Sequence, residues 1–195
     1  MSLLDSSDMA AMRQETQDYD EKRELLIKKS RDVLKLSKQI IYAVHRDELK
    51  TAEDLIKQIK KGKVELEKIT KNDPFLMTEG SYKVALQEYA EALLYFHFVH
   101  EKRLVTSKEL SLPTDYYVLG LCDLPGELVR KAVFLAGKGY FDDVVKIKDL
   151  VDQIYGELLK FDFRDNEVRR KLDAVKYDLR KLEDLVLDLK LRQAK

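Results

Sequence analysis

Long stretches without glycine or proline restrict this chain to long helices. Neither residue type occurs between residues 12 and 45, and apolar side chains recur there three or four positions apart, as on one face of an α-helix. The whole chain of 195 residues contains only 7 Gly and 3 Pro, fewer than a turn-rich all-β protein needs. Apolar side chains recur at the same helical spacing over residues 48–69, 81–102, 113–136, 142–159 and, after a cap at Asp165 or Asn166, the residues up to 192, although single glycines and prolines occur within some of these ranges.

These stretches predict an all-α protein, folded as a single-domain bundle of about six to seven helices. Residues 1–10 are expected to form a flexible N-terminus, and residues 11–195 the helical domain. Pro125 and Gly126 fall inside the stretch 113–136, so we expect that helix to be bent or interrupted there.

Several classes of protein are excluded by composition. A single cysteine, Cys122, permits neither an internal disulfide framework nor a cysteine-based zinc finger. No apolar run reaches the length of about 18 residues that a membrane span needs, and the acidic N-terminus does not resemble a secretory signal. We therefore expect a cytoplasmic protein without a membrane partner. Because 36 basic residues balance 36 acidic ones, net charge alone gives no reason to expect a nucleic-acid partner.

Two acids of the stretch 81–102 lie among apolar side chains. On a helical wheel of about 100° per residue, Glu88 falls inside the apolar stripe of this helix and Glu91 at its edge. The two positions are three residues apart, so the side chains can converge. A carboxylate in such surroundings is costly unless it is paired or bound to a metal ion.

The next apolar stretch carries a second pair of acids. Asp123 is the only charged residue between residues 116 and 126, and Glu127 follows four positions later, on the same face if the helix continues. If the two helices pack together, their carboxylates form an oxygen-ligand site suited to Mg²⁺ or Mn²⁺. The alternatives are a structural pairing with Arg130 or Lys131, or solvation of the acids at an exposed interface.

Other site types are not supported by the sequence. A ferritin-like di-iron site requires Glu-x-x-His on two helices, and neither His97 nor His100 has a glutamate three positions before it. A packing or surface role is expected for both histidines. The sequence also contains no Walker-type phosphate loop and no nucleophile elbow.

Basic residues cluster on the first, second and last predicted helices. Each cluster is interleaved with acids, which is typical of a solvated helix face. Gathered on one concave surface, the same residues would bind phosphates. On the first and last helices we expect Lys38, Arg46 and Arg170 to contribute to nucleic-acid binding.

Three segments together resemble the translin family. The first reads EKRELLIKKSRD at residues 21–32 and continues to the His45-Arg46 pair. The second includes EYAE at 88–91 and DLPGELVR at 123–130, and the third reads RRKLDAVKYDLRKLED at 169–184. The resemblance runs from about residue 15 to 192. It implies about seven helices, a closed hollow assembly of usually eight subunits, and binding of RNA and single-stranded DNA.

The resemblance also implies a role for the four acids. One branch of the family, translin-associated factor X, is a metal-dependent endoribonuclease, and its acidic ligands match Glu88, Glu91, Asp123 and Glu127. The translin branch is not catalytic and lacks this acidic set, although the last helix of the present chain looks more like that branch. These features predict an endoribonuclease that uses Mg²⁺ or Mn²⁺ and assembles with itself, as an octamer. The alternative is a non-catalytic RNA- and single-stranded-DNA-binding shell or a helical scaffold.

Overall fold

The computed structural model describes residues 4–164 and 166–193, and it confirms the all-α prediction. Within those residues the chain forms eight helices and no strand. The helices are α1 (Ser6–His45), α2 (Leu49–Thr70), α3 (Pro74–Met77), α4 (Gly80–Glu101), α5 (Ser107–Leu110), α6 (Thr114–Gly137), α7 (Phe141–Leu158) and α8 (Asn166–Gln193).

Helix α4 lies at the centre of the bundle. It packs along α1 on one side and along α6 on the other, while α2 covers α1 and both α7 and α8 cover α6. Twelve of its residues are buried, which explains why polar side chains on this helix are exceptional. Any acid on the sides of α4 or α6 that face each other is therefore held inside the bundle.

A glycine sets the distance between the two central helices. A Cβ atom on Gly120 of α6 would lie 2.5 Å from Cβ of Ala90, 2.8 Å from the carbonyl oxygen of Gln87 and 2.9 Å from the backbone nitrogen of Glu91. No side chain fits at such distances, so the backbones of α4 and α6 touch at this point. Asp123 follows Gly120 by about one helical turn, which places the acids of the two helices close together.

The structure differs from the sequence predictions at the N-terminus and in two short helices. Helix α1 begins at Ser6, capped by Asp5, whose Oδ1 accepts a hydrogen bond from the Ser7 backbone nitrogen at 2.8 Å. The second half of the segment 1–10, expected to be flexible, is thus helical, and residues 1–3 lie outside the described residues. Helices α3 and α5 were not predicted. Each is a single turn fixed by its cap, Asp73 for α3 and a Thr106–Glu109 capping box for α5.

The remaining helix boundaries follow the sequence closely. Helix α6 runs through Pro125 without interruption, so the face that carries Asp123 continues to Glu127. Of the two residues proposed to cap the last helix, Asp165 lies outside the described residues and Asn166 is the first residue of α8.

Candidate functional site

The four predicted acids influence one another across the interface between α4 and α6. Glu91 is buried, with 9% of its surface exposed. Burial, together with the nearby carboxylates of Asp123, Glu88 and Glu127, raises the pKa of Glu91 to about 8. At neutral pH this side chain therefore carries a proton for most of the time. The structure places all four acids in one electrostatic cluster, which we call the carboxylate cluster.

The depth of the two α4 acids is the reverse of the wheel prediction. Glu88, expected inside the apolar stripe, is only half-buried, whereas Glu91, expected at its edge, is buried. The reason is that α4 is covered on two sides, by α1 and by α6, so its apolar surface is wider than one stripe. Burial also raises the pKa of Glu88, although the neighbouring Lys38 ammonium opposes this shift.

Asp123 is paired with a lysine of the last helix. Nζ of Lys171 donates to both carboxylate oxygens of Asp123, at 2.6 and 2.8 Å, and Nε2 of Gln87 donates to Oδ2. The sequence alternative of a structural pairing is thus realised for Asp123 by Lys171 of α8 and not by the basic residues of α6. Lys131, one of those two candidates, instead binds Asp47 at 2.9 Å.

Glu127 is held by a histidine from the end of α1. Nε2 of His45 contacts Oε2 of Glu127, and Nδ1 of the same ring lies 3.0 Å from the hydroxyl of Tyr95. Because the carboxylate oxygen of Glu127 can only accept, the ring hydrogen lies on Nε2, and Nδ1 accepts from the Tyr95 hydroxyl. Burial raises the pKa of the Tyr95 phenol, which keeps this hydroxyl protonated. Arg130 lies further away, with NH1 3.9 Å from Oε2 of Glu127.

The carboxylate cluster supplies suitable atoms for a divalent cation but not a preformed cage. Four carboxylates offer only oxygen ligands, which Mg²⁺ and Mn²⁺ prefer. Among residues 4–164 and 166–193, however, no three His, Cys, Asp or Glu side chains converge closely enough to hold a metal ion. The donor set therefore fits such an ion in its chemistry. To bind one, Lys171 would have to release Asp123 and the carboxylates would have to draw together.

Four residues of the site were not predicted as functional from the sequence: Gln87, His45, Tyr95 and Lys171. Gln87, His45 and Lys171 each contact an acid on another helix and Tyr95 contacts His45, so all four contacts depend on the packing of separate helices. His45 and Lys171 lie 82 and 48 residues from the acids they contact. Lys171 was one member of a basic run with no signal to distinguish it. In the sequence, His45 is distinguished only as part of the His45-Arg46 pair that ends a segment resembling the translin family.

The three residues predicted to bind nucleic acid have different surroundings. Lys38 is exposed on α1, and its ammonium opposes the raised pKa of Glu88. It therefore lies beside the carboxylate cluster. Nε of Arg46 donates to Glu48 at 2.6 Å, and its guanidinium carbon lies 5.6 Å from the centre of the Tyr42 ring. Arg170 is exposed and donates to the carbonyl oxygen of Asn166 at 3.3 Å. Their role in binding stays a prediction.

The fold and the site together define a class: all-helical proteins whose two touching central helices each carry a pair of acids. The model of the Translin family matches residues 21–193. The chain therefore belongs to the Translin family.

Relatives and solved structures of this family cover nearly the whole chain. The chain is 28% identical to "Translin-associated protein X" of Mus musculus, over 97% of the chain and 80% of the relative. It is 27% identical to the "Translin-associated protein X homolog" of Schizosaccharomyces pombe, over 91% of the chain and 85% of the relative. The solved structure of apo-NeC3PO superposes with a TM-score of 0.88 at 28% identity, covering 97% of this chain and 100% of the other.

In the part of the chain that the structure describes, no helix is both long and apolar enough to cross a lipid bilayer.

Proposed function

We propose that this protein is a metal-dependent endoribonuclease that binds RNA and single-stranded nucleic acid as a hollow homo-oligomer. The observation that carries the proposal is the carboxylate cluster: two acids on α4 and two on α6, where burial together with the three neighbouring carboxylates raises the pKa of Glu91 to about 8. Bringing four acids together at one helix interface costs free energy, and a divalent cation would offset that cost.

Glu88, Glu91, Asp123 and Glu127 would hold the ion. A bound Mg²⁺ or Mn²⁺ supplies a Lewis acid for the phosphoryl oxygens and lowers the pKa of a water molecule. Glu91 would release its proton when the ion is bound, because a ligating carboxylate must be ionised. His45 would keep Glu127 oriented through Nε2–H.

Two further features support an RNA substrate. Lys38 lies beside Glu88 and offers an ammonium to the phosphate backbone at the edge of the cluster. A solved structure that superposes with a TM-score of 0.83 at 21% identity is described as "Structure of AfC3PO - duplex RNA complex". The sugar-phosphate backbone would be held by cations without readout of base identity.

Assembly into an octamer is part of the proposal. Large apolar side chains remain exposed at the end of α6 and along α8, and they are suited to contacts between subunits: Val133, Phe134, Leu187 and Leu191. Light scattering should give a mass several times the 22.8 kDa of one chain. A mass of one chain at micromolar concentration would refute the assembly.

The alternative is a non-catalytic nucleic-acid-binding shell or scaffold. It is favoured by the pairing of Asp123 with Lys171 and of Glu127 with His45, which gives two of the acids a hydrogen-bond partner without any metal ion. In that case the cluster would serve only to connect the helices.

One experiment separates the two functions. A labelled single-stranded RNA is incubated with the protein in Mg²⁺, Mn²⁺ or a chelator, and the same is done with Glu88→Gln, Asp123→Asn and the control Glu24→Gln, whose side chain is 76% exposed on α1. We expect cleavage by the unmodified protein and the control only when a divalent ion is present, and no cleavage by the two cluster variants. RNA binding should persist in all four proteins. Cleavage in the chelator, or by either cluster variant, would refute the proposed site.

A further inference from the structure

A groove between α1 and α2 lies on the side of the protein that carries Lys38. Its volume is about 630 Å³, within the usual range for a small-ligand pocket. Leu34, Ala43 and Leu55 supply apolar surface to it. A groove of this size suits one flat heterocycle with its sugar better than a helix of a protein partner.

One edge of the groove is a row of cations on α1. Arg31, Lys35 and Lys38 line the groove at positions separated by four and three residues, so they share one face of the helix. None of the three forms an ion pair with a described residue, whereas the neighbouring Lys29 is bound to Glu65 at 2.6 Å. Glu48 also lines the groove, and its carboxylate is bonded to Arg46. The row is therefore available to an anionic ligand.

An exposed aromatic ring completes the groove. Tyr42 follows Lys38 by four residues on α1, lines the groove, and leaves 56% of its surface exposed. The guanidinium carbon of Arg46 lies 5.6 Å from the centre of this ring, which places a further cation beside the exposed aromatic surface. Exposed aromatic rings beside cations are the usual binding elements for unpaired nucleobases.

Lys38 connects this groove to the carboxylate cluster. Lys38 lines the groove, and its charge opposes the raised pKa of the Glu88 carboxyl in the cluster. A strand whose phosphate lies at the cluster would therefore pass Lys38 and bring its neighbouring nucleotides to the groove.

We propose that the groove between α1 and α2 binds an unpaired nucleobase of RNA, stacked on Tyr42 above the apolar surface, with the adjoining phosphates on Arg31, Lys35 and Lys38. The proposal rests on the proposed function only for the position of an RNA phosphate at the carboxylate cluster. Binding of the base itself requires neither metal nor cleavage.

The test uses a single-stranded RNA that contains the fluorescent base 2-aminopurine, with the full-length protein in a chelator. Stacking on Tyr42 should quench the fluorescence on binding. Tyr42→Ala should abolish the quenching and raise Kd about 5- to 100-fold, the usual effect of losing one stacked base. Tyr42→Phe should behave like the unmodified protein. Tyr177→Ala is the matched control, because Tyr177 on α8 is 62% exposed and has Lys181 over its ring at 4.3 Å.

A second measurement identifies the bound nucleotide. A series of RNAs is prepared, each with one abasic nucleotide at a different position. For the unmodified protein we expect a loss of affinity when the abasic nucleotide is at one particular position. For Tyr42→Ala we expect no further loss at that position. Lys35→Gln should make the salt dependence of binding less steep by about one unit of slope. Equal affinities of Tyr42→Ala and Tyr177→Ala for RNA would overturn the proposal.

Other outcomes distinguish this proposal from the proposed function. A change of mass in Tyr42→Ala at unchanged RNA affinity would assign the groove to a contact between two copies of the chain, and would overturn the proposal. Quenching that depends on Tyr42 in a protein that never cleaves RNA would refute the nuclease and support the groove. Normal metal-dependent cleavage with no effect of Tyr42→Ala on binding would refute the groove alone.

Discussion

Replacing Glu91 by glutamine should stabilise the metal-free protein at neutral pH. The folded protein holds the proton of Glu91 until about pH 8, whereas the unfolded chain releases it near the ordinary value of 4.5. Between these two values the unfolded state loses a proton that the folded state keeps, so rising pH favours unfolding. The contribution of the Glu91 proton to the free energy of unfolding is therefore complete below about pH 4.5 and is lost as the pH rises to 8. Glutamine has no proton to lose, and Glu91→Gln removes this penalty.

The magnitude follows from the same two values. Each pH unit between them changes the free energy of unfolding by about 1.4 kcal/mol. At pH 7, which lies 2.5 units above the ordinary value of 4.5, Glu91→Gln should thus gain about 3 kcal/mol over the unmodified protein. The groups that face Glu91 set the direction of the shift: burial and the carboxylates of Asp123, Glu88 and Glu127 raise its pKa, and only the Lys171 ammonium opposes them.

Urea unfolding in a chelator at pH 5, 6, 7 and 8 measures this effect. The gain from Glu91→Gln should grow from a small value at pH 5 to its full value near pH 8, whereas the exposed control Glu24→Gln should show no such trend. Added Mg²⁺ should stabilise the unmodified protein more than the variant, because a bound ion favours the folded state. A gain that does not vary with pH, or a variant less stable at pH 7, would refute the reasoning.

Three further changes test other parts of the structure. Lys171→Met should lower the stability of the metal-free protein by about 1–2 kcal/mol, because Asp123 loses its partner. The same variant should bind Mn²⁺ more tightly in calorimetry, because the competing ammonium is gone. Weaker Mn²⁺ binding would contradict this. Gly120→Ala should destabilise the protein by about 1–3 kcal/mol or more, since the new methyl group meets the α4 backbone, and an unchanged melting temperature would show that the helices do not touch there. Tyr95→Phe should shift the ¹⁵N resonance of His45 Nδ1 and cost about 1 kcal/mol; an unchanged resonance would mean that the phenol does not bind the ring.

The six long helices could be predicted from the sequence because apolar side chains recur at helical spacing over many turns in each of them. Helices α3 and α5 could not be predicted, since one turn has no measurable period and depends on its cap. Pro125 was expected to disturb α6, but the helix continues through it. The packing of α6 against α4, α7 and α8 outweighs the loss of one backbone hydrogen bond.

The acids of the site could be predicted because each pair is anomalous within its own helix. Their partners could not, because Lys171 reaches Asp123 only when α8 packs against α6, and His45 reaches Glu127 only when α1 and α6 both pack against α4. The predicted burial of Glu88 relative to Glu91 was wrong for a similar reason. A helical wheel describes one helix, whereas burial depends on how many neighbours surround it.

The length of α1 implies that a single helix has two very different local stabilities. Its 40 residues span about 60 Å, but residues 6–18 are exposed and the first buried side chain is Leu26. A helical segment of about 13 residues that buries none of its side chains is marginal in water. Amide hydrogens of this segment should therefore exchange with solvent orders of magnitude faster than those between Leu26 and Val44, which open only with the bundle. In hydrogen-exchange mass spectrometry α1 should thus divide into a fast and a slow part, without any break in its backbone.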